Sequence, residues 1–503
     1  MESVRVVRIA RRRVDKSSPG ASPLQAFSSA DFRCQACLLA YLAAGRSATF
    51  DCARRGLAIG LVLLSVIIAP LCVSCTAAKG FGPGSVTEAS GGDQGTITIE
   101  WSNTHQTIDG FGAATAGVNP RLSPKLMDFF YTDKGIHLSL IRVEIWPSFA
   151  DCEASLERGE CVASSGATIS KNDLANAQAA VARGGLVWGA EWSPPGSMKS
   201  NGRLAGGPFI GNPANLANLA SLQTSFVTLL AKTFGIALYA LSPQNEPDVS
   251  VEYASCTWTP QQLHDYVPYL AQALSSAGYG SVKLMIAEEG IWGNSYSTTA
   301  MNDPAVASKI GVLAAHQYKG VPATALSWNN FTTQHVWETE VSDFGAYDGS
   351  ITSGLAYARM IHGALTAANV NAWHYWSLSG ILFQDNEGLT DSFGHPAKRA
   401  YTLGNFSKFV RPGWTRVEVT HNTGLLVSAY KGPVTGAAIV VVNSGPAVAD
   451  EQFNVGAAMG ASVVPWVTSH KLNLQAQAPV SVSSDSFAYT IPANSVVTFV
   501  SGR

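Results

Sequence analysis

Eight short apolar runs, each followed by a longer amphipathic stretch, constrain this chain more than any other feature. They read TIDGFGA near residue 107, HLSLIRVEI from 137, GGLVWGAEW from 184, IALYALS from 236, VKLMIAEE from 282, VLAAHQY from 312, HVWETEV from 335 and NAWHYWSL from 371. Strand-length runs alternating with helix-length segments make the rhythm of βα units. Eight such units close into a parallel barrel. Helix candidates lie between the runs. In 212–234, Leu216, Leu219, Leu222, Phe226 and Leu230 recur at helical spacing, and 260–276 opens on Pro260 in a first-turn position. The expected fold is α/β, a (β/α)8 TIM barrel over residues 107–409.

From about residue 410 the texture changes to TRVEVTH, LLVSAYKG, AAIVVVN, ASVVPWV and SVVTFVS, punctuated by Gly, Pro and Asn. This predicts an attached all-β sandwich domain over 410–503. The strand TITIEW, within 96–106, is expected to join that sandwich from in front of the barrel. Residues 79–95 read as a Gly/Ser-rich linker, and 1–78 as an N-terminal extension with a signal or anchor segment. Within it, LAIGLVLLSVIIAPLCVSC at 57–75 follows Arg54 and Arg55 and precedes small residues, the pattern of a secretion signal, with an uncleaved membrane anchor as the alternative. Its end at Cys75 has some likeness to a lipid-attachment site, although Cys72 stands where Leu is usual. The run begins more than fifty residues into the chain, behind a basic RVVRIARRR, which points to a start codon assigned too early and to residues 1–50 outside the natural protein.

Composition narrows the function. With 46% hydrophobic and 14% charged residues the chain is a well-buried globular protein, not a disordered one. Its 33 basic and 35 acidic side chains leave no electrostatic footprint for nucleic acid or an anionic membrane. A neutral partner is expected, and a monomer. Twelve Trp and fifteen Tyr supply flat faces suited to sugar rings, or equally to barrel packing. Of eight Cys, five precede residue 80 and none shows zinc spacing; Cys34 and Cys37 form a lone C-x-x-C. In an oxidising compartment Cys152 and Cys161 could close a small loop and leave Cys256 over, though sequence does not fix which two of the three pair. No metal or organic cofactor is expected.

Catalytic groups of such barrels stand at the C-terminal ends of the strands. Two carboxylates are placed there: Glu246, after the fourth run in SPQNEPD, and Glu340, at the end of the seventh in HVWETEV. Hydrolysis of a glycosidic bond needs two carboxyl groups, one protonated to assist the leaving oxygen and one ionised to meet the anomeric carbon. Beside Glu246, Pro247 restricts the backbone and the Asn245 amide is placed to bind a sugar hydroxyl. Glu338 and Glu340 share one strand face, so spacing leaves either as the reacting group. Trp192 and Trp376, at the ends of the third and eighth runs, can wall a sugar subsite or pack the barrel. Arg142, on the second run, can keep a nucleophile ionised or form a structural ion pair. His316 and Tyr318 follow the sixth run, where Tyr318 can orient Glu340. Glu288 and Glu289 end the fifth run, where one can line the cleft without joining the catalytic pair.

Several separate motifs occur in order: HQTIDGFGAA, WSPPGSMK at 192–199, QNEPD at 244–248, HQY at 316–318, WETEVS at 337–342, YTLGNFSKFVRPG at 401–413 and PANSVVTFV at 492–500. Through them the chain resembles glycoside hydrolase family 30, from about residue 105 to its C-terminus. The resemblance implies a retaining enzyme with Glu246 as general acid/base, Glu340 as nucleophile and Glu338 as the reserve candidate. It implies double displacement through a covalent glycosyl-enzyme, with the carboxyl groups about 5 Å apart. Members of the family cleave β-1,4-xylan, β-1,6-glucan, β-1,6-galactan or glucosylceramide-like β-glucosides. Those that require glucuronic acid branches carry an arginine-bearing loop after the eighth strand, which here reads SLSGILFQDNEGL, without Arg. The expectation is a secreted endo-β-1,4-xylanase acting on polysaccharide, ahead of a β-1,6-glycanase or a β-glucosidase. A non-catalytic carbohydrate-binding protein is the reading of another class.

Overall fold

The computed structural model describes residues 95–501, apart from 117–119, 146–160, 163–167, 170, 294, 326–333 and 382–384. The apolar run at 57–75, nearly all of the linker and the Cys152 to Cys161 pairing fall outside them. Cys256 is a buried free thiol. Among the described residues no helix is long and apolar enough to cross a membrane.

The chain enters on β1 (Gly95–Thr107) and then builds the barrel. Its strands are β2 (Gly110–Ala114), β3 (Leu140–Ile145), β6 (Leu186–Glu191), β7 (Leu238–Ser242), β8 (Lys283–Glu289), β9 (Ile310–Ala315), β10 (His335–Glu338) and β11 (Ala372–Ser377). A small antiparallel pair, β4 (Cys161–Val162) and β5 (Thr168–Ile169), lies between β3 and β6 in the chain. The barrel strands pair in chain order, and β11 closes on β2. Each apolar run supplies one strand, because a parallel strand covered by helices is buried on both faces. The strands end earlier than the apolar runs suggest: β6 stops at Glu191, β9 at Ala315 and β10 at Glu338. Trp192, His316, Tyr318 and Glu340 therefore stand just past strand ends, where the ladder gives way to the mouth. Their segments stay tied by single backbone bonds, His316 N–H to Glu289 O at 2.8 Å and Gln317 N–H to Glu340 O at 3.0 Å.

Large and small residues share the barrel interior. Trp188 and Trp337 meet edge to face at 6.0 Å, and Ala114, Ala190, Ala240, Ala314 and Ala372 make room for them. Gly112 lets the His374 ring approach, since a Cβ there would lie 2.4 Å from its Cδ2. Outside, the helix Pro213–Thr233 starts on an Asn212 cap, and Pro260–Ser276 on a capping box of Thr259 and Gln262, each with proline in the first turn.

The second layer system comprises β12 (Thr415–His421), β13 (Leu426–Lys431), β14 (Ala437–Asn443), β15 (Ala449–Asn454), β16 (Ser462–Thr468), β17 (Gln475–Ala476), β18 (Val480–Ser481), β19 (Ser486–Ile491) and β20 (Ser495–Ser501). The hydrogen-bonded path runs β17-β16-β20-β14-β13-β12-β1-β15-β19, with β18 on β16. β1 is inserted between β12, antiparallel, and β15, parallel. The sheet folds over itself as a sandwich: Phe499 of β20 lies 5.0 Å from both Phe453 of β15 and Phe487 of β19, strands far from it along the path. β14 is buried throughout because its faces serve different cores. Ile439 and Val441 point into the sandwich, while Ala438, Val440 and Val442 pack with the barrel's outer core.

Candidate active site

Arg142 projects from β3 into the barrel mouth and is fully buried. Its guanidinium bonds the Glu340 carboxylate through Nη1. Through Nη2 it donates to Asn245 Oδ1 at 2.6 Å and to Glu288 Oε1 at 2.7 Å. A planar fork can serve three acceptors in this way, where an ammonium could not hold them in one plane. Glu340 Oε1 also accepts from the Tyr318 hydroxyl at 2.8 Å. Burial raises the Glu340 pKa, but His316, Arg142 and the Tyr318 hydrogen bond outweigh it, so the carboxyl is held below its ordinary value and stays ionised.

Glu246 stands opposite, with Oε1 at 3.0 Å from His316 Nδ1. The other ring nitrogen of His316 lies 3.7 Å from Glu288. Burial opposes a charge on His316, yet Glu340, Glu246 and Glu288 together prevail and push its pKa up to about 10. One oxygen of Glu246, one of Glu340 and a ring nitrogen of His316 all lie within 4.8 Å of one another. These three are also the one grouping among the described residues that could hold a metal ion. A histidine kept as a cation has no lone pair to offer one, so the cluster suits a carboxylate pair better than a metal centre.

The motif QNEPD divides its labour. Gln244 braces the loop, donating to Trp192 O at 2.8 Å and accepting from Trp258 Nε1 at 3.1 Å. Asp248 ties it to the exit of β8, accepting from Gly290 and Ile291 N–H at 2.7 and 3.1 Å. Asn245 and Glu246 are left facing the cleft. Pro247 does not give Glu246 the extended backbone usual before proline; its φ is +47°, in the left-handed region, and Glu288 has φ +52°. The two strained residues hold each other, Glu246 N–H bonding Glu288 O at 3.0 Å. In WSPPGSMK the lysine is a brace as well. Lys199 is buried and donates to Ser193 Oγ at 2.9 Å and to Ser255 O at 2.6 Å.

Trp192 and Trp376 lie against Arg142. Their rings are 6.1 Å apart, and the Arg142 guanidinium lies 4.4 Å from the first and 5.7 Å from the second. Trp376 Nε1 donates to Glu387 Oε2 at 2.9 Å. The structure thus gathers Arg142, Asn245, Glu246, His316, Tyr318 and Glu340 into one bonded cluster, with Trp192 and Trp376 against it. Glu338 is separate from the cleft: fully buried beneath Glu340, it accepts from the backbone N–H of Glu340 at 3.2 Å and of His374 at 2.9 Å. Glu289 accepts from Tyr296 N–H at 2.6 Å. Sequence reasoning missed the parts played by Glu288, which anchors both cations, and Glu387. Glu288 was within reach, since two consecutive glutamates ending a barrel strand must point to different sides.

The chain matches no family model. It is 30% identical over 345 residues to the glucuronoxylanase XynC of Bacillus subtilis (strain 168), covering 66% of this chain and 77% of that protein. The chain belongs to glycoside hydrolase family 30. The solved family-30 subfamily 8 xylanase Xyn30A of Clostridium acetobutylicum superposes with a TM-score of 0.69 at 32% identity, over 81% of this chain and 99% of that one. A family-30 endoxylanase from Clostridium papyrosolvens C71 gives 0.65 at 30% identity, over 82% and 100%. This family-30 protein is a glycoside hydrolase, and its barrel with attached sandwich is the architecture of those relatives.

Proposed function

We propose that this family-30 enzyme is an endo-β-1,4-xylanase working by double displacement, with Glu340 as nucleophile and Glu246 as acid/base. The observation that carries the reading is the oxygen-to-oxygen approach of Glu246 and Glu340 within 4.8 Å. Such closeness fits direct attack on the anomeric carbon and leaves no room for the water that an inverting pair must hold between its carboxyl groups. Glu340, ionised under Arg142 and Tyr318, forms the glycosyl-enzyme while Glu246 protonates the departing oxygen. Glu246 then takes a proton from the incoming water. Arg142, His316 and Tyr318 act through the two carboxylates, and Asn245 is placed for a sugar hydroxyl.

Xylan as substrate is supported by the xylanases to which the chain is similar. The loop after the eighth strand argues for unbranched stretches. It presents Glu387 beside Trp376, a carboxyl that burial pushes up to about 7, where a uronate branch would need a cation. Export rests on the apolar run at 57–75. Reducing-sugar release by the purified protein on xylan, glucuronoxylan, β-1,6-glucan and arabinogalactan, beside Glu246→Gln and Glu340→Gln, tests the reading. Release from xylan that both substitutions abolish is the expected result; release from another polymer alone would replace the substrate and keep the mechanism. Binding to a glycan with no turnover would return the protein to the carbohydrate-binding class.

A further inference from the structure

A cavity of about 300 Å³ lies where the barrel meets the sandwich. The helix Ile351–Thr366 lines it with His362 near its C-terminal end, β12 with Arg416, Glu418 and His421, and β1 with His105. That helix returns the chain from the mouth to the start of β11, so the cavity lies at the far end of the barrel from Glu246 and Glu340. The register of β1 against β12 slips between Glu100 and Thr104 and again between Thr104 and Thr107, and this irregular stretch brings His105 onto Glu418, Nε2 to Oε2 at 2.7 Å. Arg416 is only 6% exposed. Its Nε donates to Gln106 Oε1 at 2.9 Å and its Nη2 to Asn369 Oδ1 at 2.7 Å, whereas Nη1 has no hydrogen-bond partner among the described residues. His362 Nδ1 is buried and likewise has none. Burial, and then the charges of Arg416 and His421, push the His362 pKa down to about 4, so the ring is neutral at pH 7.

Polar groups inside a protein are nearly always satisfied, so two unengaged nitrogens beside one cavity call for a partner that the chain does not supply. Charge decides its sign. Glu418 is bonded to His105, whereas Arg416 is bonded only to neutral amides, which leaves the guanidinium without a counterion in direct contact. One negative charge fits; a dianion would be set against Glu418. Volume decides the size, because a carboxylate group alone fills a small part of a space at the low end of small-molecule sites. We propose that this junction cavity is a second binding site, taking a carboxylate anion of the size of a uronic acid unit, with Arg416 on the carboxylate and His362 on a hydroxyl. The site stands apart from the reaction, and the assignment holds whichever glycan the cleft cuts.

Titration calorimetry of the full-length protein with sodium glucuronate, sodium acetate and glucose tests it, for the wild type, R416Q and H421E. His421 is exposed on the rim, so H421E keeps the test decisive if loss of the Arg416 bonds unfolds the chain. The expected result is millimolar binding of glucuronate and none of glucose, with affinity for glucuronate reduced about tenfold or more in R416Q and reduced also in H421E. Acetate bound as tightly as glucuronate, and lost in the same variants, would keep the carboxylate site and make a free organic acid its source. Glucose bound as tightly as glucuronate, or glucuronate binding that neither substitution weakens, would overturn the assignment. So would the absence of any binding, which would leave the cavity to ordered water. Turnover in the cleft enters none of these outcomes.

Discussion

The barrel mouth buries Arg142, Glu288, His316 and Glu340 against one another, with Glu246 at their edge, whereas the sandwich core packs Phe453, Phe487 and Phe499 with aliphatic side chains. In the sandwich the core is apolar, built around the stacked Phe453 and Phe487 rings, 4.7 Å apart, and the left-handed Ser484, Asp485 and Asn494 lie in turns between strands. At the mouth, charges are taken out of water, and Glu246 and Glu288 hold left-handed backbones that cost on the order of 1–3 kcal/mol each. Desolvation there is repaid only if each charge finds partners. The contrast separates where this enzyme gathers apolar packing from where it gathers buried charge.

The sharpest probe of that separation is Glu340→Gln, expected to lower kcat on xylan by roughly 10⁴-fold or more while leaving Tm near the wild-type value. A matching collapse in Tm would mean that the mouth also carries the fold. Glu246→Gln should cost about 10²–10⁴-fold on xylan, and less on an aryl glycoside whose leaving group departs without a proton; equal losses on both would remove Glu246 from the acid role. The converse test is Phe499→Ala. It should destabilise the protein by about 3–5 kcal/mol in denaturant titrations, with kcat per folded molecule retained, and a specific loss of kcat would show that the sandwich shapes the mouth.

Two smaller effects concern pH. Because Glu340 is held below the ordinary 4.5 by His316 and Arg142 against the opposing effect of burial, the acid limb of kcat/KM should lie below that pH. A limb above it would break the account of Arg142. Glu338, next to Glu340 but inside the barrel, is pushed up to about 8 by burial. A raised carboxyl favours folding fully below its unfolded value of 4.5, and that contribution is lost as pH rises through about 8. Glu338→Gln should therefore flatten the decline in Tm across this window, and an unchanged slope would place the titration elsewhere.

Much of the fold was legible because its signals are local. The spacing of Leu216, Leu219, Leu222, Phe226 and Leu230 and the first-turn Pro260 announce two helices, and the double-sided burial of barrel strands leaves continuous apolar runs. β15 was not legible: its ADEQFN is polar, and it becomes a strand by pairing with β1 and β19. The site divides in the same way. Position at strand ends picked out Glu246 and Glu340, but strand spacing alone left Glu338 equal to Glu340, and it marked one of Glu288 and Glu289 for the cleft without showing that Glu288 would anchor Arg142 and His316.

The sequence by itself determined the eight-strand rhythm, the change to an all-β C-terminal part and the strand-end positions of Glu246 and of the Glu338 and Glu340 pair, since periodicity and strand ends are properties of neighbouring residues. Only the tertiary structure decided that β1 sits between β12 and β15, that Glu338 lies beneath the cleft, and that Arg416 and His362 line one cavity. Those outcomes depend on residues far apart in the chain, as Arg142 and Glu340 are, 198 positions from each other. A charge buried in the mouth is stable only where such distant partners converge on it.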